Sequence, residues 1–148
     1  MTERLTNIYS ANFQIGDSTR KGEVPYRFLD LSGQHLGVRI EETPAGATTS
    51  HHHYHTSEEE HVLVLEGAAT LHLGDEDIEL NTGDHIWFPA GEAVAHHIEN
   101  TSDATFKILV FGERKQDDVI FYPRGSALLV KSAAGLQVYD YKERQPDK

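Results

Sequence analysis

The chain has no cysteine, which excludes disulfide staples, thiolate metal sites and a cysteine nucleophile. It is also short of positive charge: 13 Lys and Arg stand against 24 Asp and Glu, a formal net charge of -11. A surface of that sign repels phosphates over most of its area, so nucleic acid is not an expected partner. No run of apolar residues approaches the length of a membrane span, and no apolar segment follows Met1-Thr2-Glu3-Arg4. The expectation is a soluble, cytoplasmic chain without a membrane partner. Helical periodicity is missing too, as are a nucleophile elbow, a glycine-rich phosphate loop and any Ser-His-Asp spacing to argue from.

What is present is a succession of short strand patterns. Leu36, Val38 and Ile40 alternate with Arg39 and Glu41. Val62–Leu65 is a continuous apolar run; Ala69, Leu71 and Leu73 alternate again, and Gly74-Asp75 turns the chain toward Ile78 and Leu80. Further strands are expected at Ile86–Phe88, Val94–Ile98, Phe106–Phe111, Val119–Tyr122, Ala127–Val130 and Leu136–Tyr141. Asn7–Phe13 also has the makings of a short strand, Lys21–Asp30 reads as a loop, and Glu143–Lys148 as a frayed tail. With 148 residues and 38% hydrophobic residues, the chain suits one all-β domain.

Ten histidines make the strongest chemical signal. His51, His53 and His55 share one side of an extended segment, while His52 and Tyr54 share the other. Glu58 and Glu60 share a side, and Glu60 is in phase with Val62 and Val64. Downstream, Val94, His96 and Ile98 share a face; if it is the inner one, His96 points into the barrel and His97 outward. A buried imidazole needs a partner, and a metal ion is a good one. The residues alone leave open whether His51 stands in for His53 and His97 for His96. His61 and His72 fall out of phase with this set. Trp87 and Phe88 cannot both face inward. Arg39 faces either the lumen or solvent. The acidic run Asp75-Glu76-Asp77 reads as a solvated hairpin tip.

Two segments carry a family resemblance. The first is Gly46, His53-Tyr54-His55, Glu60 after four intervening residues and Gly67 after six; the second is Gly83, Pro89-Ala90-Gly91, His96 and Asn100. Together they resemble the two motifs of the cupin superfamily, over roughly residues 36 to 112. Two loops are longer here: six residues rather than five separate Gly46 from His53, and four rather than two separate Gly91 from His96. Asn100 supports His96, because its three-residue gap fits only that histidine. The resemblance implies a single cupin domain over 1–148, a cupin-type β-barrel or double-stranded jelly roll. It implies His53, His55, Glu60 and His96 as ligands of a divalent transition metal ion, whether Fe, Mn, Ni, Co or Zn.

By the same resemblance the chain is expected to be a metal-dependent enzyme on a small polar substrate, working by O₂-dependent oxidation or by isomerisation. The alternative is a non-enzymatic protein that binds or senses a small molecule or a metal. A homodimer is expected, with the polar N-terminal arm extending a partner's sheet. No catalytic residue beyond the metal ligands is assigned.

Overall fold

The computed structural model describes residues 5–16 and 26–142. Strands dominate it: β1 (Gln14–Ile15), β2 (Arg27–Asp30), β3 (Leu36–Thr43), β4 (Tyr54–His55), β5 (Glu60–Glu66), β6 (Ala68–Leu73), β7 (Glu76–Asn81), β8 (His85–Phe88), β9 (His96–Glu99), β10 (Phe106–Glu113), β11 (Val119–Tyr122), β12 (Ala127–Ser132) and β13 (Gly135–Asp140). A 3-10 turn at Pro123–Gly125 is the single helical element among the described residues. Among the described residues no helix is long and apolar enough to cross a membrane.

The strands form three sheets, ordered β1-β2-β3-β10-β5-β8, β13-β12-β11-β4 and β7-β6-β9. The fold is the expected jelly roll, but its wall is not one hydrogen-bonded cylinder: among the described residues the three sheets do not join through continuous ladders. Their inner faces bury one core, including Val62 and Val64 of β5, Leu71 of β6, Ile98 of β9, and Phe106 and Ile108 of β10. Period-two alternation accounts for this. The even-numbered residues of β5 and β10 pair across the ladder as Val62 with Val110 and Val64 with Ile108, and line the interior together.

The loop before β4 runs antiparallel to β9 without becoming a named strand. Gly46 and Asn100 are joined by a Gly46 N–H to Asn100 carbonyl bond of 2.8 Å, Thr49 donates to Ile98 at 2.9 Å, and His53 and His96 exchange backbone bonds of 3.1 and 2.8 Å. Fully buried Asn100 locks the far end by donating through Nδ2 to the carbonyls of Thr43 (2.8 Å) and Ala104 (2.7 Å). This is why the two histidine segments, distant in sequence, meet.

Some details differ from expectation. Asn7–Phe13 holds a turn rather than a strand, with pairing starting at Gln14. The C-terminal part of the expected loop Lys21–Asp30 is β2, while residues 21–25 and the tail at 143–148 lie outside the described residues. The described part of the N-terminal arm pairs with β2 of its own chain. Val94 is exposed, because β9 begins only at His96; the residues between Gly91 and His96 are irregular, exposed at 92–94 and buried at Ala95. Phe88 is buried and Trp87 is 56% exposed, as their opposite phase requires.

Candidate metal centre

Three of the four expected ligands converge. His53, Glu60 and His96 each bring a donor atom within 4.8 Å of the other two. His96 enters from β9, Glu60 from the first residue of β5, and His53 from the loop that pairs with β9. The fourth, His55, lies beside them, its ring centroid 5.1 Å from that of His53. It groups with Glu58 and Asp118 rather than with the other three. His51 and His97 do not belong to the inner group: His51 is exposed and supplies its carbonyl oxygen, and His97 stacks on His72 on the outer side of β6 and β9.

Two of the imidazoles, His53 and His55, are oriented by hydrogen bonds from behind, and His96 by stacking on its face. The Nδ1–H of His53 donates to the His51 carbonyl at 2.7 Å, leaving Nε2 as the lone-pair nitrogen. His55 donates through Nδ1 to Asp118 Oδ2 at 2.6 Å. Phe88 lies flat against His96, with centroids 3.5 Å apart and planes 5° from parallel, and Tyr122 stacks on His53 at 5.9 Å. These contacts fix the ring planes, as a binding site needs.

Asp118 is the functional residue that the sequence did not reveal. It is fully buried, accepts from the Ser57 N–H (2.9 Å) and from the Glu58 N–H (3.3 Å), and holds His55. Burial alone would raise its carboxyl. The His55 and Ser57 hydrogen bonds and the positive charges of His55 and Lys131 outweigh that and drive it well below the usual carboxylate range. The group of His55, Glu58 and Asp118 needs no second metal, because Lys131 Nζ already supplies the cation, 2.5 Å from Glu58 and 3.7 Å from Asp118.

Electrostatics in the inner group depend on burial. Burial pushes His53 down to about 4, with His96 and His55 adding to the effect and Glu60 opposing it. Burial would raise Glu60, but the contact with His96 and the charges of His53, His96 and His55 hold it at about 2. Near neutral pH, then, a neutral His53 stands beside an anionic Glu60.

The decisive atom is Nε2 of His96. It is buried and has no hydrogen-bond partner, while Glu60 Oε1 lies 3.7 Å away, beyond hydrogen-bond range. A buried polar nitrogen left unpaired costs roughly 1–3 kcal/mol, so such an atom calls for a partner. Two histidines and a carboxylate, with a third histidine adjacent, form the mixed nitrogen and oxygen set that first-row transition metals accept. The residues fit a metal ion. They border a cavity of about 410 Å³, also lined by Arg39, Glu41, Val110 and Lys131. Arg39 borders this lumen, with its side chain still partly exposed to solvent.

The profile of the family described as a cupin domain matches residues 39–112, half of the chain. The chain is a cupin. Solved structures agree with that membership. This cupin is 28% identical to a sugar phosphate isomerase from a cupin superfamily of Silicibacter pomeroyi, over 78% of this chain and 76% of that one, with a TM-score of 0.74. It is also 28% identical to a candidate sugar phosphate isomerase of Acidithiobacillus ferrooxidans, over 82% of both chains, again with a TM-score of 0.74. A predicted oxalate decarboxylase of Thermotoga maritima shares the fold at 19% identity, covering 75% of this chain and 99% of that one, with a TM-score of 0.65. No curated protein matches the cupin.

Proposed function

We propose that this cupin is a metal-dependent enzyme that isomerises a small hydroxy-carbonyl compound of the sugar type. The observation that carries the proposal is the buried, unpartnered Nε2 of His96, set with His53 and Glu60 against a cavity of ligand size. The likeness to a sugar phosphate isomerase and to a candidate one, each at 28% identity, supports the choice of reaction.

His53, Glu60 and His96 would hold a divalent transition metal, with His55 as the adjacent fourth ligand. Such an ion supplies Lewis acidity toward a carbonyl or hydroxyl oxygen. The chain supplies the rest. Val62, Ile108 and Val110 form an apolar wall that excludes water from one side of the cavity. Arg39 from β3 and Lys131 from β12 bring two cations to it from different sheets, each already paired, with Glu41 and Glu58 respectively. An anionic substrate group would therefore exchange a carboxylate partner for itself, which favours a doubly charged group over a single one.

The test is incubation of the metal-loaded protein with a panel of sugar phosphates in D₂O. Isomerisation through an enediol places deuterium on the carbon next to the carbonyl, and Glu60→Gln abolishes it. Absence of exchange and of turnover across aldose and ketose phosphates would rule the reaction out. The two-histidine, one-carboxylate group also suits iron-dependent oxidation by O₂. Substrate-dependent O₂ uptake by the iron-loaded protein would favour that chemistry, and tight ligand binding with neither activity would favour a binding protein.

A homodimer belongs to the same proposal. Edge strand β13 leaves Leu136 and Val138 more than two-thirds exposed (68% and 69%), a surface a second copy would cover. Sedimentation as a monomer at micromolar concentration would remove this element.

A further inference from the structure

The three-stranded sheet β7-β6-β9 carries a second constellation on its outer face. Leu71 and Ile98 pair across β6 and β9 and point into the core, so their neighbours His72 and His97, also paired, lie on the opposite face of the sheet, where His97 is buried against His52 and His72 is half-buried. Asp77 extends the same row on β7, opposite His72. Glu99 stands two residues beyond His97 on the same face. The rings of His72 and His97 stack with centroids 4.5 Å apart. Donor atoms of His72, His97 and Glu99 all lie within 4.8 Å of one another.

The state of His72 is the informative part. Its Nδ1–H donates to Asp77 Oδ1 at 2.6 Å, and in the neutral ring this leaves the lone pair on Nε2. That Nε2 is buried and has no hydrogen-bond partner. Glu99 Oε2 lies 3.4 Å from it without making a hydrogen bond. A lone pair facing a carboxylate is repulsive unless something positive sits between them. A hydrogen bond would place the oxygen on the axis of the nitrogen, at about 2.9 Å. Two ligands on a tetrahedral ion, each about 2.1 Å from it, stand roughly 3.4 Å apart with the oxygen off that axis. The observed spacing matches the second geometry. A carboxylate behind the far nitrogen is the usual support for a metal-ligating histidine, and Asp77 provides it.

We propose that His72, His97 and Glu99 form a second divalent transition-metal site of the zinc class on the outer face, with Asp77 orienting His72. His52 is placed to join as a fourth ligand or to orient His97, its Nδ1 lying 3.0 Å from that of His97. This site is separate from the inner one and does not depend on what the inner one catalyses.

The test is titration of tag-free, metal-stripped protein with Zn²⁺ by calorimetry and with Co²⁺ by visible absorption. The wild-type chain binds two equivalents. Glu99→Gln, which conserves shape, and His72→Ala each weaken one equivalent by at least tenfold and leave the other unchanged, whereas Glu60→Gln weakens the other. The Co²⁺ absorption lost in Glu99→Gln has the intensity of a tetrahedral ion. A single equivalent that survives both Glu99→Gln and His72→Ala, or two that persist in both variants, overturns the proposal. A protonated His72 bridging Asp77 and Glu99, visible in its ¹⁵N shifts with saturating Zn²⁺ present, overturns it too. Two equivalents with loss only in the outer-face variants would sustain this site and remove the inner one.

Discussion

Two histidine–carboxylate pairs in this cupin have the same geometry and opposite surroundings. His55 meets Asp118 at 2.6 Å, and His72 meets Asp77 at 2.6 Å. Asp118 is completely buried, also holds the Ser57 and Glu58 N–H groups, and faces Lys131; the side chain of Asp77 is 70% exposed at a hairpin. Contact distance alone would rank the pairs as equals. Solvent separates them: water competes for Asp77 and screens it, whereas Asp118 is closed off from water and its partners are all groups of the protein. The inner site therefore rests on a rigid support, and the outer site on one that water can replace.

The largest break in this comparison is removal of an inner ligand. His96→Ala weakens inner metal binding by more than the roughly 100-fold that loss of an orienting partner costs, with the outer equivalent kept, as read by calorimetry. Next is acid. His53 is held at about 4 when folded against an ordinary 6.5, so the folded state binds its proton later than the unfolded one. Its contribution is complete above pH 6.5 and is lost as pH falls toward 4, a change on the order of 3 kcal/mol in the metal-free protein. Glu60, also lowered, acts in the same direction at lower pH. Urea unfolding of metal-free protein at pH 7 and pH 4.5 measures it; equal stabilities would contradict a buried neutral His53.

Smaller effects sharpen the contrast. Asp118→Asn lowers inner metal affinity about 10–100-fold, while Asp77→Asn lowers outer affinity only a few-fold, both by metal titration. Equal losses would mean that solvent exposure does not set the worth of these pairs. Gly112→Ala comes last. A Cβ at that position would stand 2.3 Å from the Glu59 carbonyl and 3.3 Å from the Glu60 Cα, so β10 can pass beneath the start of β5 only with glycine there. The methyl group displaces Glu60 and costs about 1–3 kcal/mol, with inner affinity falling about tenfold.

Much of the fold was legible because alternation is local. The parity of Leu36 to Glu41, the Gly74-Asp75 turn and the apolar run at Val62 all describe the chain's immediate geometry. The inner group was legible for a different reason: the two motif spacings place His53, Glu60 and His96 in one pattern. Asp118 escaped because its importance comes from burial among residues some sixty positions earlier, and nothing around it in the sequence distinguishes it from Asp117. The outer group escaped although the opposite phase of His96 and His97 is plain in the sequence. Its assembly needs β9 to lie beside β6, a neighbour relation across sheet topology that no local pattern encodes.

The backbone clip between His53 and His96 has a mechanical consequence. Each of the two segments it joins carries adjacent histidines aimed at opposite sides, His52 with His53 and His96 with His97. Interior and exterior are thus one peptide unit apart on both rails of the same short ladder. A rotation that tightened the grip on one side would loosen it on the other, so neither chemistry can be re-engineered as if the wall between them were inert.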